Sequence, residues 1–287
     1  MSRSLMIRSF LFVPAANEKL IASAAAKQPD AVILDLEDGT HPSQRRAARE
    51  GLEAAYRALS AAGKIVAVRI NGDLLTAITD LRAAVTPGLD LLVLPKVEHE
   101  RDVQLLSGVV GALEQEAGIA SGHVRFLVQI ESTAALPRLH AIASADPRVM
   151  GMMLGSEDFS LDCGGMPTPD ALFAPSLMVL YASRAARIQP IGFIGSIADL
   201  GSEEDFREKL LRARALGFRG VVVVHPKFLE VANACYTPDP AEVVRAKRVV
   251  EAFEEADAKG LGAIRVDGFM VDKPIYRRSL QLLDEIR

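Results

Sequence analysis

Carboxylates recur in this sequence where short apolar runs stop, and that placement is the first sign of chemistry. Asp35-Leu36-Glu37-Asp38 closes one run, Gln129-Ile130-Glu131-Ser132 closes another, and Gly155-Ser156-Glu157-Asp158 follows a third. Arg69 next to Asn71, Lys96 after Pro95 and His225 before Pro226 stand at the ends of three more. Two carboxylates with positions left open for water and substrate are the usual protein half of a Mg2+ or Mn2+ site. Glu131 and Asp158 fit that role because they end successive runs. No His or Cys cluster argues for zinc. Arg69 offers a planar fork for a substrate carboxylate or a developing oxyanion. Side chains alternate along a strand, so Asp35 and Glu37 share a face, and two buried carboxylates repel unless a cation offsets them. A lone charge at a strand end is solvated about as often as it is catalytic. His225 reads more readily as a rim histidine bonded to backbone than as a ligand, and His41, His99, His123 and His140 have no partner at ligand spacing.

These groups need a scaffold that brings six chain segments to one mouth. Eight apolar runs bounded by turn residues appear, at 10–13, 31–36, 66–70, 91–95, 125–130, 150–154, 191–194 and 221–224. Buried parallel strands read this way. Roughly 20 to 35 residues separate successive runs, enough for a crossover helix and two loops. Pro42-Ser43 opens a helix over 44–62 that Gly63 ends,. Ser202-Glu203-Glu204-Asp205 starts another whose basic end, 212–214, precedes Gly217, matching the helix dipole,. Eight alternations predict a (β/α)8 TIM barrel, which carries its chemistry where strands run into the following loops. An open doubly wound sheet is the alternative. It lacks support because Pro14-Ala15-Ala16-Asn17-Glu18, not a glycine-rich phosphate loop, follows the first strand,. Residues 156–175, with Cys163-Gly164-Gly165 and three prolines, read as a long loop. Residues 241–259 read as the last barrel helix, and 262–274 as a connection to a short terminal helix. Residues 1–287 therefore read as a single barrel domain, with 260–287 as a C-terminal helical extension.

Composition narrows the function classes. The 287 residues carry a net charge of −4, from 33 basic and 37 acidic side chains, with no basic block. Neither nucleic acid nor an anionic membrane is an expected partner. Cys163 and Cys235 are isolated, which fits a reducing cytoplasm,. The stretch from Arg3 to Arg8 ahead of the first apolar run resembles a signal peptide only faintly, since the run is short and Pro14 stops it,. No apolar run approaches the roughly 18 residues of a membrane span.

Taken in order, the motifs resemble one family. They are Arg8-Ser9-Phe10-Leu11-Phe12-Val13-Pro14, Leu34-Asp35-Leu36-Glu37-Asp38, Val68-Arg69-Ile70-Asn71, Leu94-Pro95-Lys96-Val97-Glu98, Gln129-Ile130-Glu131-Ser132, Gly155-Ser156-Glu157-Asp158, Leu216-Gly217-Phe218, His225-Pro226 and Asp267-Gly268-Phe269-Met270-Val271-Asp272. The chain resembles the citrate lyase β-subunit family, within the metal-dependent barrel aldolases. The resemblance implies Mg2+, with Mn2+ as the alternative, on Glu131 and Asp158. It places Glu37 and Asp38 near the metal's water shell. Arg69, Ser156 and Glu157 become the expected substrate-binding side chains, and Arg69, Glu37 and Asp272 the expected catalytic ones. Asp272 matches an aspartate that reaches into a neighbouring subunit's site, in a homotrimer or hexamer, so 260–287 is expected to pack on a neighbour.

The implied reaction is cleavage or formation of a β-hydroxyacyl-CoA thioester of the citryl-, malyl- or citramalyl-CoA type. A citrate lyase β subunit acting on a carrier-bound thioester and a catalytically silent binding or regulatory homologue are the alternatives. Three departures bear on the substrate more than on the metal. Ile191-Gly192-Phe193 stands where many relatives have Asp-Gly, Lys227 where a glutamine is frequent, and Ser132 where threonine is common.

Overall fold

The structure is a computed structural model that describes residues 6–284; Arg3 lies outside the described residues. The chain divides into two compact units, Met1–Ala234 and Cys235–Arg287.

The first unit is the expected barrel. Its strands are β1 (Ser9–Pro14), β2 (Ala31–Asp35), β3 (Ile65–Arg69), β4 (Leu91–Leu94), β5 (Arg125–Ile130), β6 (Val149–Leu154), β7 (Gln189–Ile191) and β8 (Val221–Val223). They pair in parallel in the order β7-β6-β5-β4-β3-β2-β1-β8. At the remaining seam, between β7 and β8, Gly192 N donates to Gly220 O at 2.9 Å and Arg219 N to Pro190 O at 2.9 Å. The strands hold because both faces are covered. Every residue of β2 and β4 is buried, and the interior is filled by Phe10, Ile33, Ala67, Val93, Leu127, Ile191 and Val222,.

The helices are α1 (Glu18–Ala26), α2 (Arg45–Ala61), α3 (Leu74–Ala84), α4 (Glu100–Glu116), α5 (Leu139–Ala143), α6 (Ser156–Asp162), α7 (Pro169–Ala185), α8 (Glu203–Leu216) and α9 (Leu229–Tyr236), within whose last turn the first unit stops at Ala234. The Ser202/Asp205 capping box opens α8, and Gly217 at φ 122° closes it,. One buried ion pair anchors the lower wall. Arg148 donates to Glu114 through both Nη atoms, at 2.7 and 2.6 Å, while Gly122 N and Val124 N donate to the same carboxylate. Burial pushes Glu114 up, but these donors hold it down to about 2.

Two local expectations are corrected. The seventh strand is Gln189–Ile191, not 191–194. The Gln189 side chain donates to Ile7 O at 2.6 Å and to Arg219 O at 2.9 Å, which locks the strand start, and Gly192 at φ 136° ends it. The expected loop over 156–175 is mostly helical. Thr168 caps Ala171 N and Pro169 occupies the first turn, where its missing N–H costs nothing,. Pro175 sits inside α7 and is buried there, so packing outweighs its lost hydrogen bond.

The second unit holds α10 (Pro240–Asp257), a hairpin of β9 (Ala263–Val266) and β10 (Phe269–Asp272), and α11 (Lys273–Asp284). The hairpin replaces the expected connection. Asp267 and Gly268, at φ 53° and 81°, have the positive angles that a tight two-residue hairpin turn requires,. Val249, Phe253 and Val271 form the unit's small core, with Tyr276 stacked on Phe253 at 4.8 Å. Val271 is buried, but Phe269 and Met270 remain 61% and 62% exposed. Among the described residues no helix is long and apolar enough to cross a membrane.

Candidate metal centre and active site

Parallel register brings the charged residues to one end of the barrel. Asp35, the last residue of β2, is paired in register with Arg69, the last residue of β3. Arg69 donates from Nε to Asp35 Oδ1 at 2.7 Å and from Nη2 to Oδ2 at 2.6 Å, while its Nη1 lies 3.0 Å from Glu37 Oε2. Asp35 and Glu37 do share the inward side, and Arg69 is the cation that offsets them. The guanidinium also sits 4.7 Å over the Phe12 ring,. Burial works against its charge, but the Asp35 hydrogen bonds and nearby carboxylates more than compensate, so its pKa is raised.

Glu131 follows β5. Its Oε1 accepts from Gln129 Nε2 at 2.7 Å, and its Oε2 accepts from Lys96 N at 2.7 Å. Lys96 reaches that position at φ 53°, a left-handed backbone that a side-chain-bearing residue adopts only under constraint,. Its Nζ lies 3.2 Å from Glu37 Oε1. On the other side Gly155 packs so close that a Cβ would fall 2.6 Å from Glu131 Cγ. Gly155 N donates to Ile130 O at 2.8 Å, which sets the start of α6, and therefore Asp158, beside the end of β5.

The electrostatics favour a cation. Burial first, and the charge of Glu37 second, push Glu131 up to about 8, with Asp158 adding to the effect. Burial also raises Glu37 against the pull of Arg69. Among the described residues Gln129 Oε1 is buried with no hydrogen-bond partner, and the two buried Glu37 oxygens meet Arg69 and Lys96 as ion pairs. Among the described residues, Arg69 and Lys96 are the cations paired with this group of carboxylates, Arg69 with Asp35 and Glu37 and Lys96 with Glu37, and Arg69 is already committed to Asp35. Among the described residues no group of three His, Cys, Asp or Glu side chains makes a ready-formed cage. Mg2+ does not need one, since it binds through one or two carboxylates and keeps several waters. The donor set fits that ion.

The other expected residues fall as follows. Asp38 is exposed and, with Asp158, lines a cavity of about 510 Å³ at the mouth. Ser156 and Glu157 line it too, but their hydrogen bonds tie the loop after β7. Ser196 Oγ donates to Glu157 Oε1 at 2.6 Å, Ser156 Oγ donates to the same oxygen at 3.1 Å, and Ile197 N donates to Ser156 Oγ at 3.2 Å. Asn71 is held by Asp80, which also accepts from Arg49. His225 Nδ1 accepts from Lys227 N, the backbone-bonded state expected for it. Asp272 belongs to the second unit, where its Oδ1 accepts from Ile275 N at the start of α11. Lys96, Gln129 and Gly155 are legible at the rim as residues but not as parts of the site. Only the fold shows that a Lys96 backbone amide and an absent Gly155 side chain shape Glu131.

Comparison with known proteins shows the family and fold that this chain resembles. Residues 8–226 match the HpcH/HpaI aldolase/citrate lyase family. The chain is 31% identical over 287 residues to the citrate lyase subunit beta of Leuconostoc mesenteroides subsp. cremoris, covering 99% of this chain and 94% of that one. It is 32% identical to the L-malyl-CoA/beta-methylmalyl-CoA lyase of Cereibacter sphaeroides, covering 92% and 90%. The crystal structure of CitE from Mycobacterium tuberculosis with magnesium, acetoacetate and coenzyme A superposes with a TM-score of 0.75 at 28% identity, covering 98% of each chain.

Proposed function

Because the chain belongs to the HpcH/HpaI aldolase/citrate lyase family, we propose that it is a Mg2+-dependent carbon–carbon lyase acting on a β-hydroxyacyl-CoA thioester. The observation that carries this reading is the carboxylate excess around Glu131, whose raised pKa of about 8 marks a place for a cation. Glu131 and Asp158 would hold the ion, with Glu37 and Asp38 near it. When bound, the metal would supply Lewis-acid polarisation of the hydroxy-acid end of the substrate.

The protein's own groups then divide the work. Arg69, fixed by its two bonds to Asp35, aims its remaining donor edge at the carbonyl that forms. Glu37, which lies 3.0 Å from Arg69 Nη1 and 3.2 Å from Lys96 Nζ and whose pKa burial raises, takes the hydroxyl proton. The bond between the carbinol carbon and the acyl α-carbon breaks, its electron pair leaves with the acyl-CoA fragment, and an acid returns a proton there. Asp272 of a neighbouring copy is that acid, and residues 260–287 are the extension that carries it across, in a homotrimer or hexamer. The exposed Phe269 and Met270 flank the same segment and support its burial against another chain,.

The 94% coverage of a citrate lyase subunit beta favours one second reading, in which the same cleavage acts on a thioester held by a carrier protein. Purified protein is incubated with citryl-, malyl- and citramalyl-CoA, with Mg2+ or with EDTA, and acyl-CoA and 2-oxo acid are measured. Release of both products only with Mg2+ is expected. No cleavage of any free ester, together with cleavage of a carrier-bound one, selects the second reading. No cleavage of either overturns both.

A further inference from the structure

The cavity is larger and more apolar than the chelating end of such a substrate requires. Its polar side is the metal mouth, and the rest runs past the end of β7 toward α7, walled by Met153, Val179, Ile191, Phe193, Phe218 and Val222. Gly192 opens the passage. It ends β7 at φ 136° and carries no side chain, and the nearest atom to a Cβ there would be Phe218 Cε1 at 3.8 Å.

Two independent observations define what this chamber accepts. The first is charge. Arg69 is the sole cation among the lining residues, and it is already bonded to Asp35 and paired with Glu37. A second substrate carboxylate in the chamber would be buried without a partner, which is costly. The second is a hydroxyl. Ser176 on α7 lines the cavity, and its Oγ is buried with no hydrogen-bond partner. Helical serines ordinarily bond back to the preceding turn, as Ser183 Oγ does to Val179 O at 2.8 Å,. Thr86, Ser132 and Ser160 also carry unpartnered buried hydroxyls, but of these four described residues only Ser176 lines the cavity, and a buried hydroxyl without a partner calls for one.

Resting on the lyase reading above, we infer that the substituent on the hydroxyl-bearing carbon of the substrate is neutral. It has an apolar body longer than methyl and one hydrogen-bonding atom within reach of Ser176. Cleavage of such a thioester, R–C(OH)(COO⁻)–CH2–CO–S–CoA, breaks the bond between the carbinol carbon and the CH2 group. The electron pair and a proton go to that carbon to give acetyl-CoA, and loss of the hydroxyl proton gives R–CO–COO⁻.

The test is calorimetric titration of the full chain in Mg2+ buffer with pyruvate, oxaloacetate, 2-oxohexanoate and 6-hydroxy-2-oxohexanoate. Each added methylene is worth about three- to fourfold in affinity. The two six-carbon acids are therefore expected to bind at least about 30-fold tighter than pyruvate. Oxaloacetate is expected to bind more weakly than either. Ser176→Ala weakens the hydroxylated acid about 10-fold more than the plain one. Equal affinity across chain lengths, tightest binding by oxaloacetate, or the same response of both long acids to Ser176→Ala overturns the inference. Pyruvate binding with Mg2+ would then persist and leave the lyase reading standing. Failure of every 2-oxo acid to bind removes both.

Discussion

If Glu131 holds the metal as proposed, stability and metal affinity should move in opposite directions with pH. Its carboxyl is raised from about 4.5 to about 8 in the metal-free fold, by burial first and by Glu37 and Asp158 next. A carboxyl with a raised folded pKa binds more protons folded than unfolded between those values, so metal-free stability falls as pH rises through that window. At 1.36 kcal/mol per unit, the loss between pH 4 and pH 8 is on the order of 4 kcal/mol. For a domain of this size that lowers Tm by about 10 °C. Mg2+ binds only the ionised form, so below pH 8 its apparent affinity falls by about tenfold per unit. The thermal shift on adding Mg2+ is therefore expected to be large at pH 8 and small at pH 6. The experiment is a melt series from pH 5 to 8.5 in EDTA and in Mg2+, for the parent and Glu131→Gln. The variant keeps the acceptor shape for Lys96 N but has no proton to lose. Its metal-free Tm is expected to exceed the parent's at pH 8 and match it near pH 5, with no Mg2+ shift at either. Parallel melting profiles for the two proteins in EDTA would refute the assignment of the buried proton to Glu131.

The same geometry sets further outcomes. Arg69→Lys keeps one charge but loses the fork on Asp35,; turnover is expected to fall at least about 100-fold, and a near-parent rate would make Arg69 merely structural. Asp158→Ala leaves Glu131 as the single proposed ligand, so Mg2+ affinity measured by calorimetry should drop below detection while the metal-free melt stays intact. Arg148→Leu strands Glu114 in the wall; a loss of about 3–5 kcal/mol in urea unfolding is expected at pH 7, shrinking as pH falls toward 2, where the carboxylate is protonated. Glu131→Ala and Asp272→Ala are each expected to be inactive, and a mixture refolded into shared oligomers should regain part of the activity. No recovery in verified mixed oligomers tells against a site completed by a neighbour.

Much of the barrel is legible in the sequence because its strands are buried on both faces and therefore appear as apolar runs. That pattern fails where a polar residue takes a place in a strand. Gln189 begins β7, but its amide faces the strand ends rather than water, so a search for apolar runs starts too late. Prolines mislead in the other direction. Pro169 starts α7 and Pro175 lies within it, and both resemble breakers because sequence alone does not fix their position relative to the helix start. The β9–β10 turn is legible in Asp267-Gly268, a strong hairpin signal, but the flanking strands are four residues each and only half covered.

The site divides along a physical line. Side chains that carry charge at strand ends announce themselves by type and place, which is why Glu37, Arg69, Glu131 and Asp158 stand out in the sequence. Backbone groups and empty space do not. The Lys96 amide that grips Glu131 depends on a left-handed φ, and the room Glu131 occupies depends on Gly155 having no Cβ. Ionisation is further removed still. Glu131 and Asp35 are both buried carboxylates at strand ends on one rim. Asp35 faces a guanidinium in register and Glu131 faces other carboxylates. The same residue class therefore closes an ion pair in one place and leaves an unmet demand for a cation in the other. That difference is set by strand register and by the donors that surround each carboxylate. A single substitution behind the site, such as Gly155→Ala, should consequently disturb Glu131 without touching a charged group.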